Sequence, residues 1–217
     1  MPGPDTRLRV TEIFFSLQGE ASRVGLPTVF VRLTGCPLRC GYCDTDYAFQ
    51  GGEWLDLPSI LSRVDTFPTR HVTVTGGEPL AQRGCLELLS ALCDKGLDVS
   101  LETSGALDIG GVDSRVARIV DVKTPGSGEV ARNHWPNLAL LTPRDELKFV
   151  LTGEEDYVWA RGVLVEHGLT QRSPVLFSPA WSSLDPAILA EWVLRDGLAV
   201  RVQVQLHKLL WGAEPGR

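Results

Sequence analysis

The chain has 217 residues, with 21 lysines and arginines against 27 aspartates and glutamates, and its net charge of −6 argues against a broad electrostatic grip on nucleic-acid phosphates. Hydrophobic residues make up 43% and charged residues 22%, an ordinary globular balance that excludes the disordered and fibrous classes. No apolar run approaches the roughly 18 residues of a membrane span, and the opening MPGPDTRLRV has no apolar signal core. A cytoplasmic enzyme with a small-molecule substrate is expected, with no nucleic-acid or membrane partner and a single domain over residues 1–217.

The first extended segment is RLRVTEIFF, followed by the apolar, β-rich run TVFVRL and then by Cys36-Pro-Leu-Arg-Cys40-Gly-Tyr-Cys43. Residues 56–66 look helical, and HVTVTG then runs into Gly76-Gly77-Glu78-Pro79. Over 81–95, Cys85, Leu88, Leu89, Leu92 and Cys93 recur at helical spacing, which predicts one apolar face with both cysteines in the core. DVSLET ends in Glu102-Thr103-Ser104-Gly105 and RIVDVK ends in Asp121-Val122-Lys123, so any helix between them is short. ELKFVL, a helix at 154–167, SPVLFS, a helix at 185–195 and VRVQVQL complete the series. This alternation predicts an α/β fold of mainly parallel strands, and six or seven strands in about 200 residues suit a partial barrel better than a full eightfold one.

Three of the five cysteines fall within eight residues, a spacing that suits a metal site rather than a disulfide framework. Three thiolates can hold three irons of a four-iron, four-sulfur cluster and leave one iron open. An open iron can chelate the amino and carboxylate groups of S-adenosylmethionine (SAM) and deliver the electron that cleaves it to a 5′-deoxyadenosyl radical. Zinc is the competing reading. It usually takes a fourth Cys or His nearby, whereas His71, His134, His167 and His207 are scattered singly.

Barrel-like α/β folds gather their active sites at the carboxyl ends of the strands. There Gly76 and Gly77 allow close backbone approach, and with Glu78 they offer acceptors for the ammonium of SAM; a simple turn leading into a helix at Pro79 is the alternative. Alternation puts Ser100, Glu102 and Ser104 on one side of their strand and Asp121 and Lys123 on one side of theirs. Glu102, Ser104, Asp121 and Lys123 are therefore candidates for the ribose hydroxyls and carboxylate of SAM, with an Asp121–Lys123 salt bridge as the alternative. Lys148 reads as a polar interior residue. Phe30 and Arg32 share one side of their strand, opposite Val29, Val31 and Leu33, and the burial of Arg32 is not readable from the pattern.

The Cys-x3-Cys-x2-Cys spacing, with Tyr42 before the last cysteine, resembles the signature of the radical SAM superfamily, and Gly76-Gly77-Glu78-Pro79 resembles its SAM-binding glycine motif. The stretches IFFSLQGE (13–20) and FVRLTGC (30–36), with Cys43-Asp44-Thr45 and Gln205-Leu206-His207-Lys208, are similar to the 7-carboxy-7-deazaguanine synthase family, over about residues 10 to 208. The resemblance implies an abbreviated (β/α) barrel of the radical SAM type and a homodimer. It also implies a lyase that converts 6-carboxy-5,6,7,8-tetrahydropterin to 7-carboxy-7-deazaguanine with loss of ammonia, towards queuosine. SAM would be used catalytically, magnesium would be required, and an external donor such as flavodoxin or ferredoxin would supply electrons. The resemblance puts the cluster on Cys36, Cys40 and Cys43, magnesium on Thr45, and SAM beside Tyr42 and Asp44. The substrate falls to Leu17, Gln18, Gly19, Glu20, Arg32, Thr75 and His207. A carboxylate such as Glu20 and an amide such as Gln18 match the donor-rich edge of a pterin, and a guanidinium such as Arg32 matches its carboxylate. The family usually continues Gln-Gly-Glu-Gly, whereas Ala21 follows Glu20 here. The nearest rival is a glycyl-radical activase, which shares the cysteine loop and the glycine motif.

Overall fold

A computed structural model describes residues 6–212, 214 and 216. Its strands are β1 (Arg7–Leu17), β2 (Pro27–Leu33), β3 (Glu53–Asp56), β4 (His71–Gly76), β5 (Asp98–Thr103), β6 (Ala117–Asp121), β7 (Glu146–Leu151), β8 (Val175–Pro179) and β9 (Arg201–Val202). They form one sheet in the order β3-β1-β2-β4-β5-β6-β7-β8-β9. From β2 onward through β4 to β9 every pairing is parallel, while β1 lies antiparallel to both β2 and β3. The sheet is open: its edges are β3 and β9, which do not pair.

The α-helices are α1 (Leu57–Val64), α2 (Cys85–Asp94), α3 (Glu154–His167), α4 (Pro186–Asp196) and α5 (Leu206–Trp211). Local chemistry starts two of them. Asp56 accepts from the Ser59 N–H at 2.8 Å ahead of α1, and Asp185 accepts from the Ala187 N–H at 2.8 Å ahead of α4, each with a proline in the first turn. Gly168 and Gly197 end α3 and α4 in the left-handed conformation that glycine enters freely. Among the described residues no helix is long and apolar enough to cross a membrane.

Strand alternation separates two layers. Val31, Val74, Leu101, Val120, Phe149 and Phe177 join the main core against the helices, together with Cys85, Leu88, Leu89, Leu92 and Cys93 of α2. The opposite parity, Arg32, Thr75, Glu102, Asp121 and Lys148, faces a polar interior. Cys85 and Cys93 are thus core residues, as their helical spacing predicts.

Two expectations change. The described residues make nine strands rather than six or seven, because β1 and the short β3 extend the sheet antiparallel beyond its parallel part. VRVQVQL is a strand only at Arg201–Val202. Beyond it the Gln203 N–H still meets the Phe177 carbonyl of β8 at 3.0 Å, while the Gln203 and Gln205 side chains turn to the β1–β2 loop.

Candidate active site

The loop after β2 carries the three cysteines, and it is anchored from several directions. Gly35, with φ of +97°, turns the chain out of β2 and donates its N–H to the Ala48 carbonyl at 2.8 Å. The Gly41 N–H donates to the Ser127 carbonyl at 3.0 Å, and the Arg39 guanidinium donates to the Cys36 and Leu38 carbonyls at 2.8 and 2.6 Å while lying over the Phe49 ring. Cys36, Cys40 and Cys43 are free, half-buried thiols. Burial pushes all three thiols up, against the pull of the Lys123 ammonium, so metal binding here displaces protons.

The glycine pair at the end of β4 abuts this loop. A Cβ on Gly77 would collide with the Gly35 carbonyl and lie 2.8 Å from the Cys36 Cβ, and one on Gly76 would strike the Leu33 backbone. Glycine is required here by the close approach of the two segments. Glu78 departs from the expectation of a SAM contact. It is fully buried and lies outside the cavity lining. Its carboxylate accepts from the Leu80 N–H at 2.9 Å, the Thr103 hydroxyl at 2.9 Å and the Ser104 N–H at 2.7 Å, and also from the Ser104 hydroxyl. Its oxygens fasten the end of β4 to the end of β5.

Every other candidate residue lines one cavity of about 470 Å3. On the wall past β6, Lys123 Nζ and Asp121 Oδ2 pair at 2.9 Å, so the salt bridge is present. Asp121 Oδ1 and the Tyr42 hydroxyl are both buried and carry no hydrogen bond among the described residues. The Lys123 ammonium lies 5.9 Å from the centre of the Tyr42 ring, and burial pushes the Tyr42 phenol up.

The floor comes from the opposite end of the sheet. The β1–β2 loop folds under the amino-terminal ends of the parallel strands: Gln18 bonds Thr73 of β4 at 3.0 Å, Arg23 pairs with Asp98 of β5, and the Ser22 N–H donates to Glu146 of β7 at 3.1 Å. Gln18 Nε2 also donates to Glu102 Oε1 at 3.2 Å, and its Oε1 accepts from the Glu20 N–H at 3.3 Å, so its amide mainly organises the two carboxylates. Thr75 donates to Glu102 Oε2 at 3.0 Å. Glu20 pairs with Lys148 and accepts from Gln205 Nε2 at 2.7 Å. Burial works to raise Glu20, yet the Lys148 ammonium and these hydrogen bonds hold it below its ordinary range. Glu102 is pushed up by burial and by the neighbouring Glu20 charge. The two shifts run in opposite directions, so Glu20 is the more acidic of the pair.

On the remaining side, Arg32 Nε donates to Glu12 Oε1 at 2.7 Å, and its guanidinium lies over the rings of Phe14 and Tyr47. The antiparallel register puts Glu12 opposite Arg32, a pairing that sequence alone does not reveal. Asp44 pairs with Lys208 at 3.1 Å and accepts from the Thr45 hydroxyl at 2.9 Å. Burial works to raise Asp44, but Lys208 and that hydroxyl bring it down to about 2. His207 stacks so closely on Gly19 that a Cβ there would collide with its ring, and burial lowers its pKa and favours neutral imidazole. Glu12, Gln205 and Lys208 join the site without having been singled out individually, and Lys148 proves to be an ion-pair partner rather than a bystander.

The model of the radical SAM superfamily matches residues 30–159. A 7-carboxy-7-deazaguanine synthase from Chlorobaculum tepidum is 47% identical over 210 residues, 95% of this chain and 96% of that protein. Another, from Koribacter versatilis, is 43% identical over 95% of this chain and 98% of its own length. Among solved structures, QueE from Escherichia coli superposes with a TM-score of 0.74 at 24% identity, covering 93% and 95% of the two chains. Streptococcus suis SuiB bound to S-adenosylmethionine shares the fold with a TM-score of 0.53 at 13% identity, over 79% of this chain and 44% of that one. These likenesses displace the zinc module and the glycyl-radical activase. The chain belongs to the radical SAM superfamily and, within it, to the 7-carboxy-7-deazaguanine synthases.

Proposed function

We propose that this chain converts 6-carboxy-5,6,7,8-tetrahydropterin to 7-carboxy-7-deazaguanine with release of ammonia, using SAM catalytically and magnesium. The observation that carries the reading is the continuity of one cavity from the three thiols to Glu20, Arg32 and Thr45. The donor set fits the groups the family employs. Three free thiols suit three irons, and the buried, unpaired Asp121 Oδ1 is an acceptor for a SAM hydroxyl or ammonium. Thr45 spends its hydrogen on Asp44, which leaves its lone pairs for magnesium beside a carboxylate that stays ionised.

Cys36, Cys40 and Cys43 would hold the cluster, which with SAM would supply the one-electron chemistry for hydrogen-atom abstraction from the pterin. The protein's own residues position the reactants and exclude water. Glu20, kept ionised by Lys148, accepts from the aminopyrimidinone edge, with Glu102 beside it held by Gln18 and Thr75. Arg32 is fixed at Nε by Glu12, and its terminal nitrogens meet the pterin carboxylate. His207 stays neutral and seals the side next to Gly19. The chain works as a single-domain, cytoplasmic homodimer and takes electrons from an external donor such as flavodoxin or ferredoxin.

The test is anaerobic reconstitution followed by incubation with SAM, magnesium and the carboxytetrahydropterin, with mass analysis of the product. The deazaguanine is expected. Unchanged pterin alongside SAM cleavage would reject the substrate and leave the superfamily standing.

A further inference from the structure

Ala21, immediately after Glu20, has φ of +62°, in the left-handed region that a side chain enters only at a cost. Its peptide groups are gripped from both sides by one residue. The Ala21 N–H donates to Gln203 Oε1 at 2.6 Å, and Gln203 Nε2 donates to the Ala21 carbonyl at 3.0 Å, across 182 positions of sequence. Gln203 is itself seated on β8, where its N–H donates to the Phe177 carbonyl at 3.0 Å. The next residue is held too: the Ser22 N–H donates to both Glu146 oxygens at 3.1 Å, and the Ser22 hydroxyl accepts from Arg201 at 2.8 Å. The Ala21 methyl packs with Ile119 and Leu176. A strained conformation persists only where its surroundings over-determine it, and it fixes the direction of the residue beside it. That residue is Glu20, whose carboxylate faces Lys148 and the cavity.

We propose that Gln203 is a positioning residue for the reaction: by clamping Ala21 in its left-handed conformation it aims the Glu20 carboxylate at the substrate. Gln203 does not line the cavity, so it acts through the Ala21 backbone. The proposal rests on the reading above, in which Glu20 meets the pterin.

A glycine at position 21 enters the same conformation without a clamp, which supplies the test. In the reconstituted holoenzyme, Gln203→Ala should raise KM for the carboxytetrahydropterin about tenfold while kcat and SAM binding stay nearly unchanged, as the loss of two hydrogen bonds and of one aimed contact would give. Adding Ala21→Gly to that variant should recover most of the loss. An unchanged KM, or a raised KM that Ala21→Gly leaves in place, would overturn the proposal. Should Gln203→Ala not accumulate, Gln203→Glu keeps the acceptor for the Ala21 N–H and loses the donor, and the same rescue by Ala21→Gly decides. Should the unmodified chain fail to turn over the pterin, the substrate reading falls separately. The clamp is then judged by amide hydrogen exchange over residues 18–24: faster exchange in Gln203→Ala supports it, and unchanged exchange rejects it.

Discussion

Replacing Lys148 with methionine removes the ammonium that Glu20 depends on while conserving most of the side-chain volume. The pair is largely enclosed, with side-chain exposures of 14% and 11%, and Glu102 stands beside it. Stranding one partner of a fully dry ion pair costs about 3–5 kcal/mol, and the bordering cavity puts this pair near the lower end, about 3 kcal/mol. In a chain of this size that corresponds to a fall in Tm of about 6–12 °C. The sign with pH follows from the direction of each shift. In the unmodified chain the Glu20 pKa lies below its ordinary value of 4.5, so its contribution is present above that value and is lost as pH falls through the folded pKa. Without Lys148, burial and the nearby Asp44 charge raise Glu20, and the variant relieves itself by taking up a proton. The stability gap is therefore widest at neutral pH and narrows as pH falls towards the carboxylate range. Urea titrations followed by tryptophan fluorescence across that range measure it. A gap that is independent of pH, or below about 1 kcal/mol at neutrality, would refute the assignment of Lys148 as the counter-ion of Glu20.

Further outcomes follow from the same geometry. Cys40→Ala should leave the chain folded but without its brown colour and iron, and a variant that kept about four irons and full activity would remove the cluster assignment. Gly77→Ala puts a methyl group against Gly35 and Cys36, so it should cost about 2 kcal/mol in thermal melts and impair cluster loading; a neutral effect would mean that the loop yields freely. Glu78→Gln turns an amide hydrogen towards donors at Thr103 or Ser104 and should cost about 2 kcal/mol, with SAM affinity lowered only in step with folding. Thr45→Ala should raise the magnesium needed for half-maximal turnover about tenfold, and an unchanged requirement would move the metal elsewhere.

Local pattern carried the sequence reading wherever chemistry and spacing coincide. Cys36, Cys40 and Cys43 announce themselves within one loop, and strand parity alone puts Glu102 and Asp121 on the inner face with Val31 and Leu101 outside. What was not legible depends on distant partners. Glu78 sits beside two functional glycines, yet Thr103 and Ser104, 25 and 26 residues later, consume its carboxylate. Lys148 reads as an interior lysine until it meets Glu20, 128 positions away. VRVQVQL has the alternation of a strand, but after the Gln203 N–H meets Phe177 of β8 the chain leaves the sheet, and the Gln203 and Gln205 side chains bond Ala21 and Glu20 of a loop more than 180 positions away. The route by which Gln18 and Glu20 reach the cavity is not legible for a similar reason: the carboxyl ends of the strands say nothing of a hairpin loop reaching in from the other end.

The open sheet has a kinetic corollary. Its edge strands, β3 and β9, do not pair with each other, and the carboxyl-terminal segment is tied back by contacts that link residues 20–22 and 44 to residues 201–208. Contacts of such sequence separation close slowly and late, whereas the thiol loop, its glycine support and its anchor at Ser127 and Glu129 lie within residues 33–129. During synthesis the cysteine loop can therefore be shaped while the tail is still missing, and the pterin floor becomes rigid only once the final helix has docked. An enzyme assembled in this order acquires its radical-generating half before it can hold a substrate.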